Sequence, residues 1–335
     1  MSADLIHQLS AAALAFAIIT YVVLDGTDLG VGILFPFHKE TQSRHVMAFS
    51  ILPIWDGNET WLVLGGGGLL ALFPAAYSIF FTAMYVPIIA MLLALVFRGV
   101  SLEFRDRATP AHRRWHDAAF AGASTLAGLC QGIVLGGLIQ GIPNDGSRYT
   151  GNGWDWLSGF TLTCGIGLVV GYALLGACWL VWRTESDLQA RARKQASLLG
   201  GFTLLLMGLV IVWTAGLHPL YRERWAQGEW VIPLLGLMAL LALAFWKALP
   251  CRIHYLPLFA VLGWFMVAYA ALILALYPLV IPPALTIFQA SSPTASQAFM
   301  LTGFAVLIPF TLAYSTYGFW VFRGKIRPRE EADGE

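Results

Sequence analysis

Trp55-Asp56-Gly57-Asn58-Glu59-Thr60-Trp61-Leu62-Val63-Leu64-Gly65-Gly66-Gly67-Gly68 decides how the chain is read. Apolar sequence continues on both sides, so the stretch reads as part of a membrane helix carrying two carboxylates, a carboxamide, two indoles and a run of bare backbone. A charged side chain at mid-bilayer costs at least ~2.5 kcal/mol on insertion scales, so carboxylates there face a protein interior or a water-filled path. Function is expected to centre on this stretch.

The composition around it is that of an integral membrane protein. Hydrophobic residues make up 58% of the 335 and charged residues 12%, against roughly 25% charged in soluble domains; the mean hydropathy is +0.70. A net charge of +1 provides neither a basic surface for nucleic acid nor an acidic tail. Cys130, Cys164, Cys178 and Cys251 show no CxxC spacing. Cys164 and Cys178 would lie about 21 Å apart along one helix, too far for a disulfide, so all four read as packing residues. The first apolar run is longer than a signal-peptide core and contains Asp25 and Asp28, so it is expected to remain as the first span.

A spanning helix needs ~20 mostly apolar residues. Nine segments meet this approximately, at 9–36, 48–72, 76–98, 117–140, 157–182, 197–217, 231–249, 257–278 and 299–322. Alternate connections then place 17 of the 20 Lys and Arg on one side, leaving only Arg148, Arg222 and Arg224 on the other. The positive-inside rule puts the amino terminus outside, in the periplasm, and the carboxyl terminus in the cytoplasm. Asp25, Asp28, Asp56 and Glu59 fall ~12 to 17 Å from the cytoplasmic ends of the first two spans. Each pair is spaced i,i+3 on one helix face, and Arg98, near the cytoplasmic end of the third span, is a candidate partner.

Buried carboxylates suit a proton route; the alternative is that they are neutral or paired groups fixing helix packing. Gly65, Gly66, Gly67 and Gly68 have two readings, an unwound ion site or, favoured here, a surface for close helix packing. Trp55 and Trp61 flank the carboxylates and either line a cavity or pack; the other tryptophans read as an interfacial belt. His7, His38, His45, His112, His116, His218 and His254 all fall in connections or at helix ends, so no internal pair is available to ligate haem, and the scattered methionines read as filler. P-loop, GxGxxG and HExxH patterns are absent.

Several motifs in order carry a family resemblance. Tyr21-Val22-Val23-Leu24-Asp25-Gly26-Thr27-Asp28-Leu29-Gly30-Val31-Gly32, then the Trp55 to Gly68 stretch, resemble subunit II of the cytochrome bd-type quinol oxidases, including the cyanide-insensitive branch. Trp154-Asp155-Trp156-Leu157, the run Gly167 to Ala177, Tyr277-Pro278 with Pro282-Pro283, and Tyr314 to Lys325 continue the match. The resemblance implies an all-α polytopic membrane protein of the bacterial cytoplasmic (inner) membrane. It implies nine transmembrane helices, arranged as two four-helix units plus one peripheral helix. The units are read as residues 1–140 and 141–278, with 279–335 holding the last helix and a basic cytoplasmic tail.

It further implies a haem-bearing subunit I as partner, holding haem b and haem d or b-type haem only, with no metal or haem ligated by this chain. The complex would oxidise quinol and reduce dioxygen to water with cytoplasmic protons. Some members add a structural quinone or small single-helix subunits. By matching position, Asp56 would lie on the proton route, with Asp25, Asp28 and Glu59 as supporting carboxylates, Arg98 at the cytoplasmic mouth and Trp61 lining the oxygen side. Thr27 departs from the aromatic residue common between the two aspartates. The competing class is a proton-coupled secondary transporter, but neither the glycine run nor the carboxylate pair recurs in the second half, as an inverted repeat would require. A third reading is a purely structural chaperone for subunit I.

Overall fold

The computed structural model describes residues 2–326. The helices are α1 (Ala3–Leu34), α2 (Thr41–Ile51), α3 (Trp55–Leu72), α4 (Pro74–Ala83), α5 (Tyr85–Phe104), α6 (Pro110–Gln140), α7 (Gly159–Arg183), α8 (Ser186–Leu217), α9 (Pro219–Gln227), α10 (Val231–Ala248) and α11 (Leu256–Leu276). A small antiparallel pair, β1 (Leu279–Ile281) and β2 (Leu285–Thr286), leads through α12 (Ile287–Ala290) to α13 (Thr294–Val321). Eight helices are long and apolar enough to cross a membrane: α1, α5, α6, α7, α8, α10, α11 and α13. The chain is a multi-pass, predominantly helical membrane protein.

The expected second span, 48–72, is interrupted. Helix α2 stops at Ile51 and α3 starts at Trp55, because Pro53 has no amide to continue the ladder and Ile54 leaves the helical region at φ −126°. Helix α3 then carries Asp56, Asn58, Glu59 and four glycines within 18 residues, which leaves it less apolar than the eight spanning helices. It nevertheless runs antiparallel to α1 over most of that helix's length. Asn58 bonds Asp28, a Cβ on Gly65 would lie 3.6 Å from Ile18 and one on Gly68 3.5 Å from Leu14, and the Leu72 carbonyl accepts from Gln297, which also bonds Ser10. The third segment is also divided, into α4 and α5, and α5 continues past residue 98 to Phe104.

Helix α1 is the centre of the bundle, packed against α3, α6 and α7. Its crossing with α7 is made backbone to backbone. A Cβ on Gly30 would lie 2.7 Å from the Gly176 nitrogen, and one on Gly176 would meet Gly30 in turn, the small-residue contact that lets membrane helices approach closely. Helix ends are closed by polar side chains, since water cannot satisfy carbonyls at membrane depth. Arg224 donates to Ala275 and Tyr277 at the end of α11, Arg193 to Leu249 after α10, and Tyr221 to Ile139 in α6. The outer faces of α8, α10 and α13 are apolar and exposed.

Candidate functional site

Three helices converge on one guanidinium. Arg98 on α5, 1% exposed, donates from Nη1 to Asp25 Oδ1 at 2.6 Å and from Nη2 to Glu59 Oε1 at 2.5 Å. Asp25 is fully buried on α1, whereas Glu59 on α3 is 27% exposed. The Trp55 ring lies over the guanidinium at 5.7 Å. Gly99 makes room for that indole, as a Cβ there would stand 2.8 Å from Trp55 Cη2. Such a buried cation is tolerated only because charged acceptors replace its water. Of the four carboxylates expected near Arg98, the structure brings Asp25 and Glu59 onto its guanidinium, with Arg98 in the body of α5.

Asp28 faces the same region from one turn further along α1. Asn58 Nδ2 donates to Asp28 Oδ2 at 2.7 Å, and Asp28 Oδ1 has no hydrogen-bond partner among the described residues. Asn58 is a site residue that sequence reasoning did not single out, although a carboxamide between two carboxylates was a visible signal. Asp56 differs from expectation. It is the second residue of α3, exposed in the first turn, not eight or more residues into a continuous span. The helix amino terminus, with its free amides, is a favourable place for this carboxylate. Asp56, Glu59 and Trp55 line one end of a groove of about 350 Å³ between α3 and α5, continued by Leu62, Leu92 and Val96.

The indoles and glycines divide. Trp55 lines the groove. Trp61 is fully buried between α1 and α3 with Ala17 and Tyr21, so within this chain it packs instead of lining a cavity. Of the glycine run, Gly68 meets the Phe304 ring of α13 at 2.9 Å from its Cβ position and Gly65 approaches Ile18, while Gly66 and Gly67 have no neighbour within 4 Å. Gly65 and Gly68 thus face other helices of this chain, whereas Gly66 and Gly67 face away from it. The run stays helical, so it is not an unwound ion site.

Two further polar groupings were not foreseen. Tyr172 of α7 donates to Gln131 Oε1 of α6 at 2.6 Å, and Gln131 Nε2 donates to the Tyr21 hydroxyl of α1 at 2.7 Å. Tyr21 precedes Asp25 by one turn on the same face, a spacing legible in sequence; the pairing through Gln131 depends on the crossing of three helices. Seven residues beyond Arg98 on α5, Arg105 is also buried. It bonds Asp117 at 2.6 Å and Asp106 at 3.2 Å, while Arg44 bonds the other oxygen of Asp117 at 3.0 Å.

Histidines serve as bridges. His7 bonds Gln297, His38 bonds Gln195, and His218 Nε2 donates to the Gln140 carbonyl. Among the described residues, no group of three or more His, Cys, Asp or Glu side chains is placed to hold a metal ion.

The family model for cytochrome bd terminal oxidase subunit II matches residues 6–322. The chain is 30% identical to cytochrome bd-I ubiquinol oxidase subunit 2 of Escherichia coli K12 over 355 aligned positions, covering 92% of each. It is 28% identical to cytochrome bd ubiquinol oxidase subunit 2 of Bacillus subtilis, covering 97% of this chain and 98% of the relative. Among solved structures, the bd oxidase from Geobacillus thermodenitrificans contains a chain of the same fold, with a TM-score of 0.80 at 18% identity over 95% of this chain and 98% of that one. The chain belongs to the cytochrome bd terminal oxidase subunit II family.

Proposed function

We propose that this chain is the haem-free second subunit of a quinol:oxygen oxidoreductase, docking the α3, α5 and α13 face on a haem-bearing subunit I and carrying a proton route along the groove between α3 and α5. Membership of the family makes it a subunit of an oxygen-reducing respiratory oxidase. The observation that carries the reading is the Arg98 cluster, which opens through half-exposed Glu59 and exposed Asp56 into a groove on the outside of the chain. Carboxylates left on an outer membrane-facing surface are costly in lipid. A polar, water-bearing partner surface removes that cost. Gly66 and Gly67, open on the same helix, supply the low relief that a partner helix needs. The outer face of α10, with Ile232, Leu235, Leu240 and Leu243, suits lipid instead.

Nine spans are supported by counting α3, whose 18 residues reach ~27 Å beside α1. With nine, the Lys and Arg asymmetry places the amino terminus in the periplasm, and Asp56 and Glu59 lie toward the cytoplasmic side from which protons are drawn. Residues 1–140 and 141–278 are the two four-helix units, joined at the Gly30–Gly176 crossing, and α13 is the peripheral ninth. Of the basic tail, the part after Ile326 lies outside the described residues. The haems, whether b and d or b alone, and the quinol-oxidising site belong to subunit I, and a structural quinone or small single-helix subunits would be additions to this core. When bound in the partner, the haems supply electron transfer and oxygen reduction. This chain's residues hold the guanidinium, position the carboxylates and admit protons.

The test is Asp56→Asn in the assembled complex. Haem content should be retained by optical spectrum while quinol-driven oxygen uptake slows about ten-fold, with Asp56→Glu recovering much of it. Normal turnover in haem-replete Asp56→Asn would sink the route. No observation favours the transporter reading.

A further inference from the structure

The two carboxylates on Arg98 differ in what stands behind them. Glu59 has the groove behind it, with Asp56 on its own helix, and faces Arg98 from α5 and Asp25 and Asp28 from α1. Behind Asp25 is the Tyr21, Gln131 and Tyr172 chain. Its other charged neighbours are Arg98, Asp28 and Glu59. An amide has fixed polarity, since its oxygen only accepts and its nitrogen only donates. Tyr172 occupies the Gln131 oxygen, and the Gln131 nitrogen occupies the Tyr21 oxygen. The Tyr21 proton is thereby left unspent by the chain, one turn from Asp25 on the same face of α1, and Asp25 Oδ2 is buried with no hydrogen-bond partner among the described residues, so an unspent donor and an unpartnered acceptor share that face.

The chain is held rigidly. The Tyr172 ring fills a slot that Gly26 and Gly128 leave open, because a Cβ on Gly26 would collide with it and one on Gly128 would stand 3.2 Å away. Phe265 stacks on its other face, with centroids 6.3 Å apart and planes 14° apart. Every donor in the chain points toward Asp25, and none of its members reaches Glu59.

We propose that Gln131, acting through Tyr21, is a positioning residue that fixes Asp25 as the permanent counter-ion of Arg98 and leaves Glu59 as the carboxylate that exchanges protons during turnover. This rests on the reading of the α3–α5 groove as a proton route. In uptake, a proton from cytoplasmic water forms an O–H bond on Glu59 and loosens its contact with Arg98, which stays paired with Asp25. In release, that O–H bond breaks, the proton passes toward the partner subunit, and Glu59 returns to its starting charge.

The experiment uses the assembled complex, with haem content measured alongside the pH profile of quinol-driven oxygen uptake. In Tyr21→Phe and Gln131→Met, the unpartnered Asp25 oxygen loses the hydroxyl beside it or that hydroxyl's fixed orientation, the charged form of Asp25 is less well held, Arg98 turns more fully to Glu59, and the charged form of Glu59 is held more tightly. The alkaline limb should move toward acid by about one unit, an approximately ten-fold loss at the alkaline end and a smaller one at the acid end. Tyr172→Phe, one bond further away, should move it less in the same direction. Glu59→Gln should be slow at every pH with haems intact. An unmoved profile in haem-replete Tyr21→Phe and Gln131→Met, beside a slow Glu59→Gln, overturns the positioning role alone. Normal turnover of Glu59→Gln at every pH removes the groove route and the proposal with it. If the tyrosine and glutamine variants do not assemble, infrared difference spectra decide. A titrating protonated-carboxyl band absent from Glu59→Gln supports the assignment, and the same band persisting in that variant overturns it.

Discussion

Two buried arginines lie seven residues apart, Arg98 within α5 and Arg105 in the 3-10 turn just after it, and their surroundings differ in charge balance. Arg105 belongs to a set in which two arginines, Arg44 included, meet two aspartates, Asp106 and Asp117. Arg98 is a single cation among Asp25, Asp28 and Glu59, with Asp56 near by. A balanced set clamps the α1–α2 connection to α5 and α6 and has no use for an extra proton. An acid-rich set around one cation cannot hold all its members ionised cheaply in a low dielectric, so it is the one suited to taking protons up. The same residue type thus sits in a charge-balanced clamp at one level and in an acid-rich cluster at the other.

The largest effect expected is from Arg98→Met. Leaving buried acids without their cation costs about 3–5 kcal/mol, and the yield of haem-containing complex should collapse. Adding Asp25→Asn to that change should restore more complex than adding Glu59→Gln, since Asp25 is the fully buried partner; equal rescue would erase the distinction between the two acids. Gly68→Leu comes next, because Phe304 occupies the space. It should destabilise this chain by about 1–3 kcal/mol, seen as a lower Tm. Gly67→Leu should leave the isolated chain intact and weaken its association with subunit I, measured as subunit loss in detergent. Asp117→Asn should cost about 1–2 kcal/mol of thermal stability while leaving the pH profile of turnover unmoved. A profile shift there would make the clamp part of the proton route.

The smallest effect concerns His38, 1% exposed just beyond α1. Burial lowers its pKa from the usual imidazole value, with the Gln195 hydrogen bond opposing. The unfolded chain therefore binds the proton more readily, so the contribution of His38 is fully present above about pH 6.5 and fades as the pH falls below it. Melting curves of the complex between about pH 7 and pH 5 should show a fall that is shallower in His38→Gln.

Apolar periodicity placed most of the helices of this fold, because a long apolar segment is a local property of the sequence. The break at Leu52–Ile54 was less visible, since apolar residues surround Pro53 and hydropathy does not register backbone geometry. Asp25, Glu59 and Arg98 could be grouped from helix spacing and depth alone. Asp56 could not be placed correctly, because its depth depended on that break. Gly66 and Gly67 could not be separated from Gly65 and Gly68 either. Which side of a glycine run meets its own chain is set by the rotation of α3 against α1 and α13. Gln131 reads as an ordinary amide in an apolar stretch until α6 and α7 bring it between two tyrosines.

The crossing of Gly30 and Gly176 bears on mechanics as well as packing. Backbone pressed on backbone has no side chain to rearrange, so this point behaves as a fulcrum that neither helix can slide across. Asp28 sits two residues from it and Asp25 five, mounted near the stiffest place in the bundle. Glu59 and Asp56 ride on α3, a helix whose outer edge touches nothing in this chain. Any give in the assembled enzyme would be taken up on the α3 side, so the distance from Glu59 to Arg98 can alter while that from Asp25 to Arg98 stays set.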